Sequence, residues 1–396
     1  MFFTAVRTEK CRDCGSCKEL TPCPSEECTG CGACSLACPY DAIEMIPRAK
    51  EGETSIKVDG EVFAVPDRIT VRKALEILGH KITKFPGEGL FVPCEVGGCW
   101  SCAVKINGRL SPSCTTAVKE GMEIETSFEE VPRRIVHGFS GHGVGGVGTP
   151  WVLKDLPGYV EAACFACGCN FRCPQCQNWT TTYRGAGAAL TPRSAAEAMT
   201  ATRRAVGVDR MAISGGESTL NRRWLIQYIQ ELRKLNQDED ARFHVDTNGS
   251  ILTDDYMDAL VEAGMTDIGI DLKGLDTETF MRITGIKDER LAENYHKTAW
   301  EAVRYILDNH KDKVFLGIGI PYNRSLISIG ELQRIGERIF ALDAEVQVCV
   351  LDYRPEFRNK DISRPSYSEM KRVHETLTQT GLKTVTCQTM YGHIGP

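Results

Sequence analysis

Cys169, Cys173 and Cys176 stand at C-x3-C-x2-C spacing directly after the apolar run Tyr159 to Phe165. Thiols gathered in one tight loop are metal ligands first, and their number decides the chemistry. Three thiolates cannot complete a cubane of four irons, so one iron keeps an open position, and an open position makes a bound metal reactive instead of merely structural. Spacing alone leaves a zinc site open as well, because structural zinc takes four ligands and Cys164 or Cys167 could supply the fourth.

The rest of the cysteine pattern points the same way. The chain has 19 cysteines in 396 residues, and all but Cys349 and Cys387 fall into three dense groups. An odd number, with an N-terminus (MFFTAVRTEK) that lacks the apolar core of an export signal, argues against a disulfide framework. Clusters that oxidise readily imply an oxygen-poor cytoplasm. Cys28, Cys31, Cys34 and Cys38, followed by Pro39, have the spacing of the bacterial ferredoxin run. Upstream, Cys11, Cys14 and Cys17 precede Cys23-Pro24 with a longer last gap. Cys94, Cys99 and Cys102 repeat the first two gaps of plant-type [2Fe–2S] ferredoxins, and Cys114 follows. Gly97, Gly98 and the small Ser101 leave room for backbone N–H groups to approach the sulfurs, which favours the reduced, more negative cluster. A net charge of −6 gives no electrostatic reason to bind nucleic acid or an anionic membrane. The longest apolar runs, such as Val314 to Ile320, are too short to span a bilayer.

Elements must position these ligands. From Ile56 to Val65 the sequence alternates around Asp59-Gly60, a hairpin signal. Thr70 caps a helix whose Val71, Ala74, Leu75 and Leu78 share a face, and strands follow at 103–106 and 122–125, an order that reads as a β-grasp. The run Gly138 to Gly148 contains G-x-G-x-x-G but has no strand before it and no helix after it, so it reads as a close-packed or flexible connector or a cover for the site mouth. From Tyr159 onward strands alternate with capped helices, which means βα units and a parallel sheet. Strands are expected at 159–164, 210–213, 242–246, 267–270, 314–318 and 345–350. Ser214-Gly215-Gly216-Glu217 then ends the second strand, Asp246-Thr247-Asn248-Gly249 the third and Asp271-Leu272-Lys273-Gly274 the fourth, where barrel folds place their chemistry.

The string GCNFRCPQCQNW from Gly168 to Trp179, with these strand-end motifs, resembles the radical SAM superfamily, most closely its glycyl-radical-enzyme activases (the pyruvate formate-lyase activating enzyme type) and their AmmeMemoRadiSam relatives. The N-terminal cysteines resemble a two-cluster [4Fe–4S] ferredoxin, and the Cys94–Cys114 group resembles the [2Fe–2S] domain of the succinate dehydrogenase iron–sulfur subunit. The resemblance implies an α/β fold: a partial (β/α)6 TIM-type barrel at 159–396, preceded by an α+β ferredoxin-like module at 1–48, a [2Fe–2S] β-grasp domain at 53–128 and a Gly-rich linker at 129–158. It implies three [4Fe–4S] clusters, one [2Fe–2S] cluster and S-adenosylmethionine. The ferredoxin pattern gives one cluster Cys11, Cys14, Cys17 and Cys38 and the other Cys23, Cys28, Cys31 and Cys34.

Carried over residue by residue, Cys169, Cys173 and Cys176 hold the catalytic cluster, and Gly215, Gly216 and Glu217 receive the methionyl amino group. Asp246, Thr247, Asn248 and Asp271 stand near the cofactor, with a monovalent cation at Asp246, Thr247 and Asp271, and Lys273 meets the carboxylate. Gln175 departs from the aromatic usual before the third cysteine, and Ser218 from the usual proline. The implied reaction is reductive cleavage of S-adenosylmethionine to a 5′-deoxyadenosyl radical and hydrogen-atom abstraction from a partner protein, with electrons from a ferredoxin, flavodoxin or other low-potential reductase. Modification of a small molecule, including methyl transfer, and a non-catalytic electron-transfer subunit are the competing readings.

Overall fold

The computed structural model describes residues 2–23 and 27–396; Met1 and Pro24, which fall within the first expected module, lie outside the described residues. That module pairs strand Phe2–Arg7 antiparallel with Ile43–Arg48 and sets two short helices, Ser16–Leu20 and Ala33–Ala37, between them. Gly15 and Gly32 precede those helices at φ of 76° and 78°. These left-handed positions follow Cys14 and Cys31, so each cysteine run turns the same way around its ligands.

The second module builds as its hairpin signal directs. Glu53–Val58 pairs with Glu61–Pro66 around Asp59 and Gly60, both at positive φ. Thr70 accepts a hydrogen bond from the Lys73 amide at 3.2 Å and opens helix Val71–Ile77. Strands Ala103–Ile106 and Met122–Glu125 fall where the sequence puts them. A further edge strand, Arg109–Pro112, turns back at Asn107-Gly108 and completes a five-stranded sheet over a core of Ile56, Val65, Leu75, Val104 and Ile124.

The third part is an open parallel barrel in a sheet of ten strands. Its parallel strands run Glu161–Ala166, Arg210–Gly215, Arg242–Thr247, Asp267–Asp271, Phe315–Tyr322, Gln347–Asp352 and Val385–Thr389. The sixfold count is thus corrected by one. The sequence Val-Thr-Cys-Gln-Thr alternates too weakly to announce the last strand, which is buried by helix Tyr367–Gln379 packed beside it. The sheet does not close, ending at Ala189–Leu190 on one side and at Gly392–Ile394 on the other. Helix Arg222–Leu235 buries Trp224, Leu225, Tyr228, Ile229 and Leu232, the one-face pattern of its sequence. Arg210 and Asp267, both nearly fully buried, pair at 2.8 Å. No described helix is long and apolar enough to cross a membrane.

Residues 129–158, read from composition as a linker, hold strand Arg134–His142, which pairs antiparallel with Glu161–Ala166. The glycine run then threads the inside of the barrel as a strap. The Thr149 carbonyl accepts from Gln347 Nε2 at 2.9 Å, and the Trp151 amide donates to Gln347 Oε1 at 2.6 Å. A Cβ on Gly148 would lie 2.5 Å from the Gly269 nitrogen, and one on Gly317 would run into the Val147 carbonyl. Glycine is needed on both sides because two backbones touch there.

Candidate active site

The first barrel strand delivers the chain straight into the three-cysteine loop. Cys169 is buried, and its sulfur accepts from the Phe171 amide at 3.4 Å. Cys176 Sγ lies 3.4 Å from Thr182 Oγ1. Asn248 Nδ2 approaches Cys169 Sγ at 3.9 Å and donates to Asn170 Oδ1 at 3.1 Å, fastening the loop to the end of the third strand. The three sulfurs line one cavity of about 250 Å3 together with Gly215, Gly216, Asp246, Thr247, Asn248, Asp271 and Lys273. Gly145, Gly146 and Val147 of the strap and Tyr353 of the loop after the sixth strand complete its wall. Burial pushes the Cys173 thiol up to about 12, with the Lys273 charge opposing.

Glu217 stands apart from these cavity residues. It is 1% exposed and does not face the cavity. Oε1 accepts from the Thr219 amide at 2.9 Å and from the Thr219 and Thr247 hydroxyls at 2.6 Å, while Oε2 accepts from the Asn248 amide at 2.7 Å. A carboxylate taken by four donors ties two strand ends together. The adjoining glycines act on the cysteine loop: the Gly216 amide donates to Ala166 O and the Glu217 amide to Gly168 O, each at 2.9 Å. A Cβ on Gly216 would stand 2.5 Å from Gly168 O.

Two charged pairs stand at the cavity, one through Asp246 backed by the buried His244 and one through Asp271 and Lys273. His244 Nε2 lies 3.0 Å from Asp246 Oδ1, and the Gly148 amide donates to the same oxygen at 3.4 Å. Burial pushes the Asp246 carboxyl up, but the charge and hydrogen bond of His244, together with the Lys154 charge and the Gly148 amide, hold it below its usual range. Burial disfavours the His244 imidazolium, and Asp246 outweighs that in turn. Lys273 Nζ lies 3.0 Å from Asp271 Oδ2 and 3.4 Å from the Tyr353 hydroxyl. Burial works against its charge, yet Asp271 keeps the ammonium well above its usual range. His244 was not anticipated; the His-Val-Asp alternation puts it on the same strand face as Asp246, and that periodicity was the available signal. Gln175 points away from the cavity, its amide donating to Ile283 O at 2.8 Å. Cys164 and Cys167 are buried with thiols pushed up to about 12 by burial, the state of inert packing residues.

The His244–Asp246 pair carries a pH signature. A histidine raised in the folded state stabilises fully below its ordinary value of about 6.5 and loses that contribution as pH climbs through the raised value. Asp246 is depressed, so its share is present above the ordinary carboxylate range and is lost only as pH falls through the depressed value. Urea unfolding of the apo chain should therefore show stability falling as pH climbs past about 6.5, and His244→Asn should flatten that slope. An unchanged slope would mean the pair is neutral in the fold.

The other cysteines gather in sets that suit clusters. Cys11, Cys14, Cys17 and Cys38 ring a cavity of about 240 Å3. Burial, then the nearby Cys31, Cys23 and Cys28 thiolates, push Cys34 up to about 12. Cys94, Cys99, Cys102 and Cys114 are all buried, with Cys99 Sγ 3.1 Å from Cys94 Sγ and Ser101 Oγ 3.3 Å from Cys99 Sγ.

Residues 164–329 match the radical SAM superfamily, residues 51–129 a 2Fe-2S iron-sulfur cluster binding domain and residues 25–44 a 4Fe-4S binding domain. The chain is 32% identical over 87 residues to an NADH-quinone oxidoreductase subunit of Mycobacterium bovis, a stretch covering 21% of this chain and 10% of that protein. It is 30% identical over 103 residues to a probable GTP 3′,8-cyclase of Methanococcus aeolicus, covering 26% of this chain and 34% of that one. Both relatives are thus matched over far less than two thirds of their length. Among solved structures, coproporphyrinogen III oxidase of Escherichia coli, a radical SAM enzyme, aligns at a TM-score of 0.35 and 17% identity over 48% of this chain and 45% of that one. Streptococcus suis SuiB bound to S-adenosylmethionine aligns at 0.38 and 14% identity over 56% and 45%. By these family matches, residues 164–329 carry a radical SAM superfamily domain, beside a 2Fe-2S domain at 51–129 and a 4Fe-4S domain at 25–44.

Proposed function

We propose that this chain is an activase-like radical SAM oxidoreductase that abstracts a hydrogen atom from a partner protein and carries its own electron relay. One observation supports this above the rest: the three sulfurs of Cys169, Cys173 and Cys176 share a single cavity with the glycine pair and the charged strand ends that suit an amino-acid moiety. Those cysteines would hold a four-iron cluster with one iron open, and S-adenosylmethionine bound there would supply, on one-electron reduction, methionine and a 5′-deoxyadenosyl group that takes hydrogen from the substrate.

The protein's share is position and electrostatics. Lys273, kept charged by Asp271, offers a fixed cation to a carboxylate, and Asp246, kept ionised by His244, offers an anion to an ammonium. Gly215 and Gly216 let the main chain approach a ligand closely. The strap at Gly145 to Val147 lines the cavity and fills the barrel interior beside it. Asp246, Thr247 and Asp271 remain the candidates for a monovalent cation. Electrons enter at the first module, whose Cys14 and Cys23 are exposed, from a low-potential donor in the cytoplasm. A protein substrate is the reading supported by the resemblance of the string from Gly168 to Trp179 to the activases.

The test is anaerobic reconstitution, reduction with dithionite and addition of S-adenosylmethionine, followed by chromatography for 5′-deoxyadenosine. Product from the native chain that disappears with Cys173→Ala supports radical chemistry at this cavity. A fully assembled and reduced chain that forms none is an electron carrier.

A further inference from the structure

The loop that holds the three cysteines and the loop that holds the buried four are in direct contact. A Cβ on Gly168 would stand 2.9 Å from the Cys99 nitrogen and 3.0 Å from the Cys94 Cβ. A Cβ on Gly98 would stand 2.9 Å from the Gly168 nitrogen. Across this contact lies one guanidinium. Arg172 Nη1 donates to the carbonyl of Cys169 at 2.7 Å, and Nη2 donates to the carbonyl of Cys94 at 2.9 Å. Glu95 fixes the same group at 3.3 Å and is itself held by Lys84 at 2.6 Å. A single side chain thus bonds the main chain of a cysteine from each site.

We propose that the two-iron site of Cys94, Cys99, Cys102 and Cys114 is the immediate electron donor to the site of Cys169, Cys173 and Cys176, and that Arg172 is the positioning residue that holds the two loops at conducting contact. The inference rests on the reading of these cysteines as cluster ligands given above. One electron leaves the reduced two-iron group, which returns to its oxidised state, and enters the four-iron group. The original reductant is a low-potential one-electron donor. No proton is needed at Arg172, which stays charged throughout.

A rival route leads from the first module. Arg358 Nε donates to the Cys38 carbonyl at 2.9 Å, and the Arg358 amide donates to Pro174 O at 2.9 Å. This bridge reaches a proline instead of a cysteine and crosses the length of the arginine side chain and its own backbone. The Arg172 bridge is shorter, running through one guanidinium between two cysteine carbonyls.

Freeze-quench electron paramagnetic resonance after rapid mixing of the anaerobic reconstituted chain with excess dithionite tests the wiring. The three-cysteine signal is identified by its loss in Cys173→Ala. The two-iron signal should grow first and the three-cysteine signal second. With Arg172→Gln the first phase and the iron content should stay as they are while the second phase slows roughly tenfold, the low end of the effect of removing an outer-shell partner of a metal ligand. Arg172→Lys, which keeps the charge but not the fork, should fall between, and Arg358→Gln should leave both phases unchanged. A three-cysteine signal that leads the two-iron signal overturns the proposal in the native chain alone. A second phase untouched by Arg172→Gln, or slowed by Arg358→Gln instead, also overturns it. The time course is read without S-adenosylmethionine, so a chain that fails to bind that ligand contradicts the radical reading and still decides the wiring.

Discussion

A Glu217→Ala chain should lose about 3–5 kcal/mol of barrel stability, the cost of breaking a buried charge–hydrogen-bond network from one side. The carboxylate takes four donors, two of them main-chain amides of Thr219 and Asn248 that would be left without a partner in a buried place. Asn248 then loses its anchor, and with it the hold of its side chain on Asn170 and Cys169. Glu217→Gln should cost about half as much, because the amide keeps the shape and one accepting oxygen but turns an N–H toward a donor. Urea unfolding of the apo chain measures the stability effect, and equilibrium dialysis with S-adenosylmethionine measures the consequence for binding. The contrary result is clear: if Glu217→Gln leaves stability unchanged and weakens ligand binding alone, the carboxylate turns into the cavity and holds the ammonium after all.

Glu217 also shows where sequence reasoning reached its limit. The motif Gly215-Gly216-Glu217 placed the turn at the right strand end, because glycine pairs after an apolar strand mark close backbone approach. It could not say which way the carboxylate pointed, since that depends on Thr247 and Asn248, 30 and 31 positions away. The β-grasp strands were legible for the opposite reason: alternation at 103–106 and 122–125 is strict, and Asp59-Gly60 dictates its own turn. Arg109–Pro112 was missed because an edge strand with one apolar residue and a terminal proline carries no period. The cysteine spacings were legible at once, since ligand geometry is local. Contacts between modules, such as Arg172 on Cys94, join residues 78 positions apart and left no mark in composition.

The glycine run from 143 to 148 carried the least legible information, and Gly317→Ala tests it most sharply. Gly269 pairs with Gly317 on neighbouring strands, with Gly319 two residues on, and together they form a trough that receives Val147 and Gly148. A methyl on Gly317 meets the Val147 carbonyl, whose carbon would be 2.8 Å away, and neither backbone has room to give. The strap must lift, which should cost about 3 kcal/mol by the penalty for overpacking a core. Lifting it also removes Gly148 from Asp246 and Val147 from the cavity wall, so S-adenosylmethionine should bind roughly tenfold more weakly, about 1.4 kcal/mol. Gly330→Ala is the matched control. It lies in helix Ile329–Leu342 with nothing within 4 Å of its new methyl, and it should gain about 0.5–1 kcal/mol from the helix preference for alanine. If both substitutions behave alike in urea, the strap does not occupy the barrel interior. If Gly317→Ala destabilises while ligand binding is untouched, the strap is a packing element, and the cavity wall is formed without it.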